Sequence, residues 1–80
     1  MVQYGCMSKE TLVNRLSYFI ACVREFAGAY DLTEVAAFDY LKRYRGMAFL
    51  AKCYEAEHTV SYEDAVKDLS VVCRRHGGKL

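Results

Sequence analysis

The 80-residue sequence has no proline, no tryptophan and only five glycines. Their scarcity disfavours a turn-rich β fold, and nine alanines favour helix. Neither sign of charge prevails, because eleven Lys and Arg stand against ten Asp and Glu for a formal net charge of +1. That balance excludes a histone-like polycation, an acidic DNA mimic and a polybasic membrane anchor. No run approaches the roughly 18 apolar residues of a membrane span. The densest stretches are Phe19 to Val23 and Met47 to Ala51. The start of the chain carries no basic segment followed by an apolar one, so no secretory signal is expected and the chain reads as cytoplasmic. What is there is globular in composition: 54 % apolar and 26 % charged residues, enough for one small domain and incompatible with disorder.

Cysteine is present four times, at Cys6, Cys22, Cys53 and Cys73, but never as Cys-x-x-Cys. A zinc knuckle needs two ligands close in sequence to preset half of a tetrahedron, and His58 and His76 form no doublet either. No metal and no cofactor is therefore expected. The thiols read as reduced small hydrophobes of a cytosolic protein.

Helical spacing organises the rest. Ser8 is a suitable N-cap with Glu10 in the first turn. Leu12, Leu16, Phe19, Val23, Phe26 and Tyr30 then form a stripe, widened by Val13, Ile20 and Ala27. Asn14, Ser17, Arg24, Glu25 and Gly28 fall opposite. The stripe predicts a broad buried surface and makes this helix the spine of the domain. After a break at Asp31 and Leu32, Thr33 caps a second helix to about Arg45, with Ala37, Tyr40, Leu41 and Tyr44 on one side. Gly46 is the expected left-handed stop. A third helix begins near Met47, and its row of Met47, Leu50, Ala51, Tyr54 and His58 directs the imidazole inward. Ser61 with Asp64 resembles a capping box for a fourth helix bearing Tyr62, Ala65, Val66, Leu69, Val72 and Cys73. Arg74, Arg75 and His76 suit its C-terminal end, and Gly77 with Gly78 terminates it. The expectation is all-α: a compact four-helix, bundle-like domain over residues 8–80, with residues 1–7 as a short irregular extension.

Candidate chemistry is thin. A buried His58 has to hydrogen-bond, and it can tie the third helix to the cap at Ser61. A general base would need a nucleophile or paired carboxylate at a suitable spacing, and none accompanies it. Glu55, Glu57, Glu63 and Asp64 read as a solvated acidic face, since Glu-x-x-His occurs once where a di-metal bundle needs two copies. Lys42, Arg43, Tyr44 and Arg45 form one basic patch and Arg74, Arg75 and Lys79 another. Their convergence would suit nucleic acid, but a reading helix with Lys52 as its sole cation is poorly equipped for phosphates. The sequence holds no Gly-x-Gly-x-x-Gly, P-loop or Gly-x-Ser-x-Gly. Seven Tyr and four Phe exceed what a body of this size can cover, so some rings are expected at the surface, in water or in protein contacts.

Phe38-Asp39-Tyr40-Leu41, Tyr44, Gly46 and Phe49-Leu50 lead into Tyr54-Glu55-Ala56-Glu57-His58-Thr59, followed by Val66-Lys67-Asp68-Leu69 and Gly77-Gly78. This order resembles the bacterial domain-of-unknown-function family 3791, small helical proteins marked by a Tyr, a His four residues later and usually a Thr. The resemblance spans roughly residues 9 to 78, with Glu57 standing where the family pattern has an apolar residue. It makes Tyr54, His58 and Thr59 the structural motif. It brings no activity, but members are often encoded beside a family that looks like ADP-ribosyltransferase toxins, which implies an antitoxin-like role. The expected function is a non-enzymatic module that binds another protein or itself, with no membrane contact. The alternatives are a small nucleic-acid-binding regulator and a self-associating structural domain.

Overall fold

Twenty-two residues with no proline and one glycine sustain the first helix, α1 (Lys9–Tyr30). The computed structural model describes the chain from residue 9 onward, with side chains from residue 13. The expected extension over 1–7, the cap at Ser8, Glu10, Leu12 and Cys6 thus lie outside the described side chains. Helix α1 ends as Asp31 turns left-handed (φ 55°) and the Leu32 amide donates to the Ala27 carbonyl at 2.8 Å. This closure satisfies a carbonyl that the last turn leaves without a helical donor. The Thr33 hydroxyl accepts from the Ala36 amide at 3.1 Å and opens α2 (Glu34–Arg43). Ser61 does the same for the Asp64 amide at the start of α5 (Tyr62–Arg75).

The expected third helix is two pieces, α3 (Gly46–Lys52) and the single turn α4 (Tyr54–Glu57), separated at Cys53. Cys53 leaves helical geometry at φ −108°, ψ 23°, while its carbonyl accepts from the amides of Ala56 and Glu57. No proline or glycine marks this break, so side-chain periodicity runs straight across it.

The α2–α3 junction also departs from expectation. Arg45, not Gly46, adopts the left-handed conformation, at φ 70°. Gly46 is instead the buried first residue of α3. Its role is clearance: a Cβ there would sit 2.8 Å from Leu41 Cδ2 and 3.1 Å from Cys73 Sγ. Gly77 and Gly78 terminate α5 as expected, with Gly77 at φ 102° and the Gly78 amide bonded to Cys73 O at 2.8 Å.

Helices α2 and α5 both pack on α1, and α3 closes the other side by packing on α2 and α5. Phe26, Leu41, Leu50, Leu69, Cys22 and Cys73 are fully buried at their meeting point. Around them Phe26 stacks on Tyr40 (5.7 Å) and packs against Tyr30 (4.7 Å). Tyr30 bonds Ser70 through their hydroxyls, and Tyr40 Oη accepts from the Leu80 amide at 3.0 Å. No helix among the described residues is long and apolar enough to cross a membrane.

The stripe on α1 is only half covered. Its buried face is Tyr18, Cys22, Val23, Phe26 and Ala27. Val13, Leu16 and Ile20, expected in the core, remain 57, 55 and 54 % exposed.

The clearance at Gly46 yields a stability test. Alanine favours helix by about 1 kcal/mol over glycine, but overpacking between the fixed Leu41 and Cys73 costs about 1–3 kcal/mol. Gly46→Ala should therefore lower the urea midpoint, whereas Gly28→Ala, where nothing lies within 4 Å, should raise it.

Candidate functional site

The Tyr54, His58 and Thr59 motif closes α4 upon itself. The His58 Nδ1–H donates to the Tyr54 carbonyl at 2.7 Å, and the imidazole lies parallel to the Tyr54 ring, 4.5 Å away and 7° from coplanar. The Thr59 hydroxyl donates to the Ala56 carbonyl at 2.7 Å. Both contacts satisfy carbonyls at a helix end. His58 is exposed rather than directed inward. The inward row is Leu50, Tyr54 and Glu57, equally helical in spacing.

Glu57 is consequently the buried member of the expected acidic face, at 8 % exposure. Its carbonyl accepts a 2.9 Å hydrogen bond from the buried Tyr18 hydroxyl, which fastens α4 to the middle of α1. Tyr18 also meets the Tyr54 ring edge-on at 5.6 Å and stacks with Tyr62 at 6.0 Å. Arg15 covers the Tyr54 ring at 4.6 Å and approaches Glu55 at 3.6 Å. The Glu57 side chain is pushed up to about 7, first by burial, then by its hydrogen bond to Asp68 and the charges of Asp68 and Asp64. Its Oε1 has no hydrogen-bond partner. Burial and the neighbouring carboxylates therefore favour the protonated form of Glu57. Burial likewise pushes up the Tyr18 hydroxyl and the Cys22 and Cys73 thiols. These thiols thus favour the protonated, poorly nucleophilic form. Among the described residues no group of three His, Cys, Asp or Glu stands together to hold a metal.

The basic run at Lys42 to Arg45 does not act as one patch. Lys42 reaches over the Phe38 ring at 5.7 Å, and Tyr44 is half-buried beside Tyr40. Arg45 turns toward the end of α5, where it lines one shallow depression with Phe49, Lys52, Arg75 and His76. Sequence spacing could not pair residues 45, 52 and 75, because the α3–α5 contact joins them.

An apolar groove lies between α1 and α2. Leu16, Phe19, Ile20 and Val23 of α1, with Val35 and Phe38 of α2, enclose an open groove of about 540 Å³. Val35 and Phe38 are 76 and 43 % exposed. Together these side chains make a contiguous, exposed apolar lining. Of the aromatic rings expected in part at the surface, Phe38 and Tyr62 are exposed, whereas Tyr18, Tyr30 and Tyr40 use their hydroxyls internally.

Residues 17–76 match the family described as "Protein of unknown function (DUF3791)". No curated protein and no solved structure matches the chain.

The Glu57 carboxyl sets a pH test. Its folded value lies above the ordinary 4.5, so the folded state holds its proton more tightly than the unfolded chain does. Its contribution is therefore complete below about pH 4.5 and is lost as pH rises through about 7. Glu57→Gln keeps an amide donor toward Asp68 and removes the titration. The variant should gain up to about 3 kcal/mol on the wild type at about pH 8 and almost nothing at about pH 4. Urea denaturation at both values measures the difference, and an equal effect at both would place the Glu57 ionisation outside this range.

Proposed function

This chain belongs to the DUF3791 family, proteins of unknown function, and on that footing we propose that it is a non-enzymatic helical interaction module. Its contact surface is the α1–α2 face of Val13, Leu16, Ile20, Val35 and Phe38. The observation that carries this reading is the exposure of Leu16, Ile20, Val35 and Phe38 around one apolar groove, with the exposed Val13 one turn before Leu16 on the same helix. Leaving them in water forfeits the hydrophobic gain that the rest of α1 realises. The chemistry-bearing groups point the same way. Cys22 and Cys73 are buried, Glu57 is turned against Asp68, and His58 is bonded to its own helix.

The finer reading is an antitoxin-like protein whose partner is an ADP-ribosyltransferase-like toxin. It is supported by the family resemblance and by the presence of an apolar face able to seat another protein.

A photo-crosslinking side chain placed at Ile20 reports contact directly. Adducts in the native cell are expected at position 20 and not at Val71, an exposed apolar residue of α5 away from the groove. Equal yields at both positions would remove the reading.

One observation favours a second reading, a nucleic-acid-binding regulator. Arg45, Lys52, Arg75 and His76 share a depression with Phe49, combining cations with a stacking surface. Under that reading the affinity for a single-stranded oligonucleotide falls linearly on logarithmic axes with salt, and Lys52→Ala reduces the slope by about one. Salt-independent retention would exclude it.

A further inference from the structure

The α1–α2 face carries both halves of a two-fold contact. Val13, Leu16 and Ile20 recur at i, i+3 and i+7, the spacing with which a helix seats its ridge in an apolar groove. Leu16 and Ile20 of that ridge also form one wall of the groove, across from Val35 and Phe38. An isologous interface requires this self-complementarity, since one patch must serve as donor and receiver.

We infer that the occupant of this face is a second copy of this chain, paired about a two-fold axis so that the α1 ridge of each enters the α1–α2 groove of the other. The inference rests on the face being the contact surface proposed above and names what covers it. The exposed fractions of the five apolar side chains amount to on the order of 500 Å² per chain. Complete coverage of these side chains in both copies would bury about 1,000 Å², and a polar rim has to supply the rest of the roughly 1,200 Å² at which stable interfaces begin. Charge does not oppose the pairing. The net charge is +1, and Glu34, the charged residue of the groove wall, is neutralised by Arg24 at 3.3 Å. The exposed ridge is Val13, Leu16 and Ile20; Val23 and Ala27, next in the same spacing, are buried in the chain's own core. A helix with that seam packs against another at a shallow angle.

Sedimentation equilibrium of the purified full chain between about 1 and 200 µM tests this, because a homodimer responds to its own concentration. The expected mass is that of two 9.2 kDa chains. Ile20→Glu should weaken association about 30-fold or more while circular dichroism stays helical, since the side chain is half exposed and its replacement leaves the core untouched. Val71→Glu, away from the groove, should remain dimeric. A wild-type chain that stays monomeric throughout overturns the inference, as does an Ile20→Glu variant that still dimerises. The crosslink at position 20 separates the two claims. An adduct of twice the chain mass supports self-pairing. An adduct with a different protein retains the face and overturns self-pairing, and a link within one chain to residues 1–8 does the same in favour of the chain's own N-terminal segment. No adduct defeats both claims.

Discussion

A 22-residue helix is about 33 Å long, whereas the 10 and 14 residues of α2 and α5 that pack along it reach about 15 and 21 Å. The disparity governs much of the molecule. Where α1 meets both partners, Cys22, Phe26 and Ala27 vanish into the core, and the hydrophobic gain is realised. On one flank of its N-terminal half, α2 stands beside the helix and leaves a groove open instead of covering it. Val13, Leu16 and Ile20 stay in water although they belong to the same apolar pattern. The open face is thus a consequence of placement, and its chemistry is that of an unfinished core.

The other flank of that half-helix is closed by α4, and the closure depends on Tyr18. Its hydroxyl holds the Glu57 carbonyl across 39 residues of chain, and its ring rests among Tyr54, Tyr62 and Phe19. A tyrosine can bury because its polar end finds such a partner. The same arrangement turns the Glu57 side chain inward, where burial first, and then Asp68, favours its protonated form. One member of this polar cluster, Glu57, is pushed up to about 7, unlike the apolar contacts around Phe26, which do not titrate.

Close approach governs the far end. Leu41 and Cys73 occupy the space where a Gly46 side chain would stand, and the Tyr40 hydroxyl stands where one at Gly78 would. The C-terminal residues are drawn back by Leu80, whose amide donates to Tyr40 and whose carbonyl accepts from Arg74 Nε at 3.0 Å. With α3 and α5 held this tightly, Arg45, Lys52 and Arg75 come to share one surface. The two flanks therefore differ in kind: one is apolar and open, the other basic and shallow.

Local chemistry made much of this legible in the residues themselves. The all-helical class, the caps at Thr33 and Ser61, the break at Asp31 and the Gly77-Gly78 stop follow from side chains acting on their own backbone. So do the polar face of α1 and the buried Ala37, Leu41, Leu69 and Cys73. Features set by distant neighbours were hidden. Periodicity identified an apolar stripe on α1 but could not say which half another helix would cover. Spacing alone allows either His58 or Glu57 to follow Tyr54 inward, and apolarity argued for the wrong one. The left-handed turn fell on Arg45 because Gly46 was needed for clearance against Leu41 and Cys73, residues on two other helices. The sequence by itself determined the helical class, the capped helix starts at Thr33 and Ser61 and the amphipathic character of the helices, because hydrogen bonds and rotamers act within a few residues. Only the tertiary structure decided which apolar surface closes and which carboxyl is buried, because both depend on where helices far apart in the chain meet.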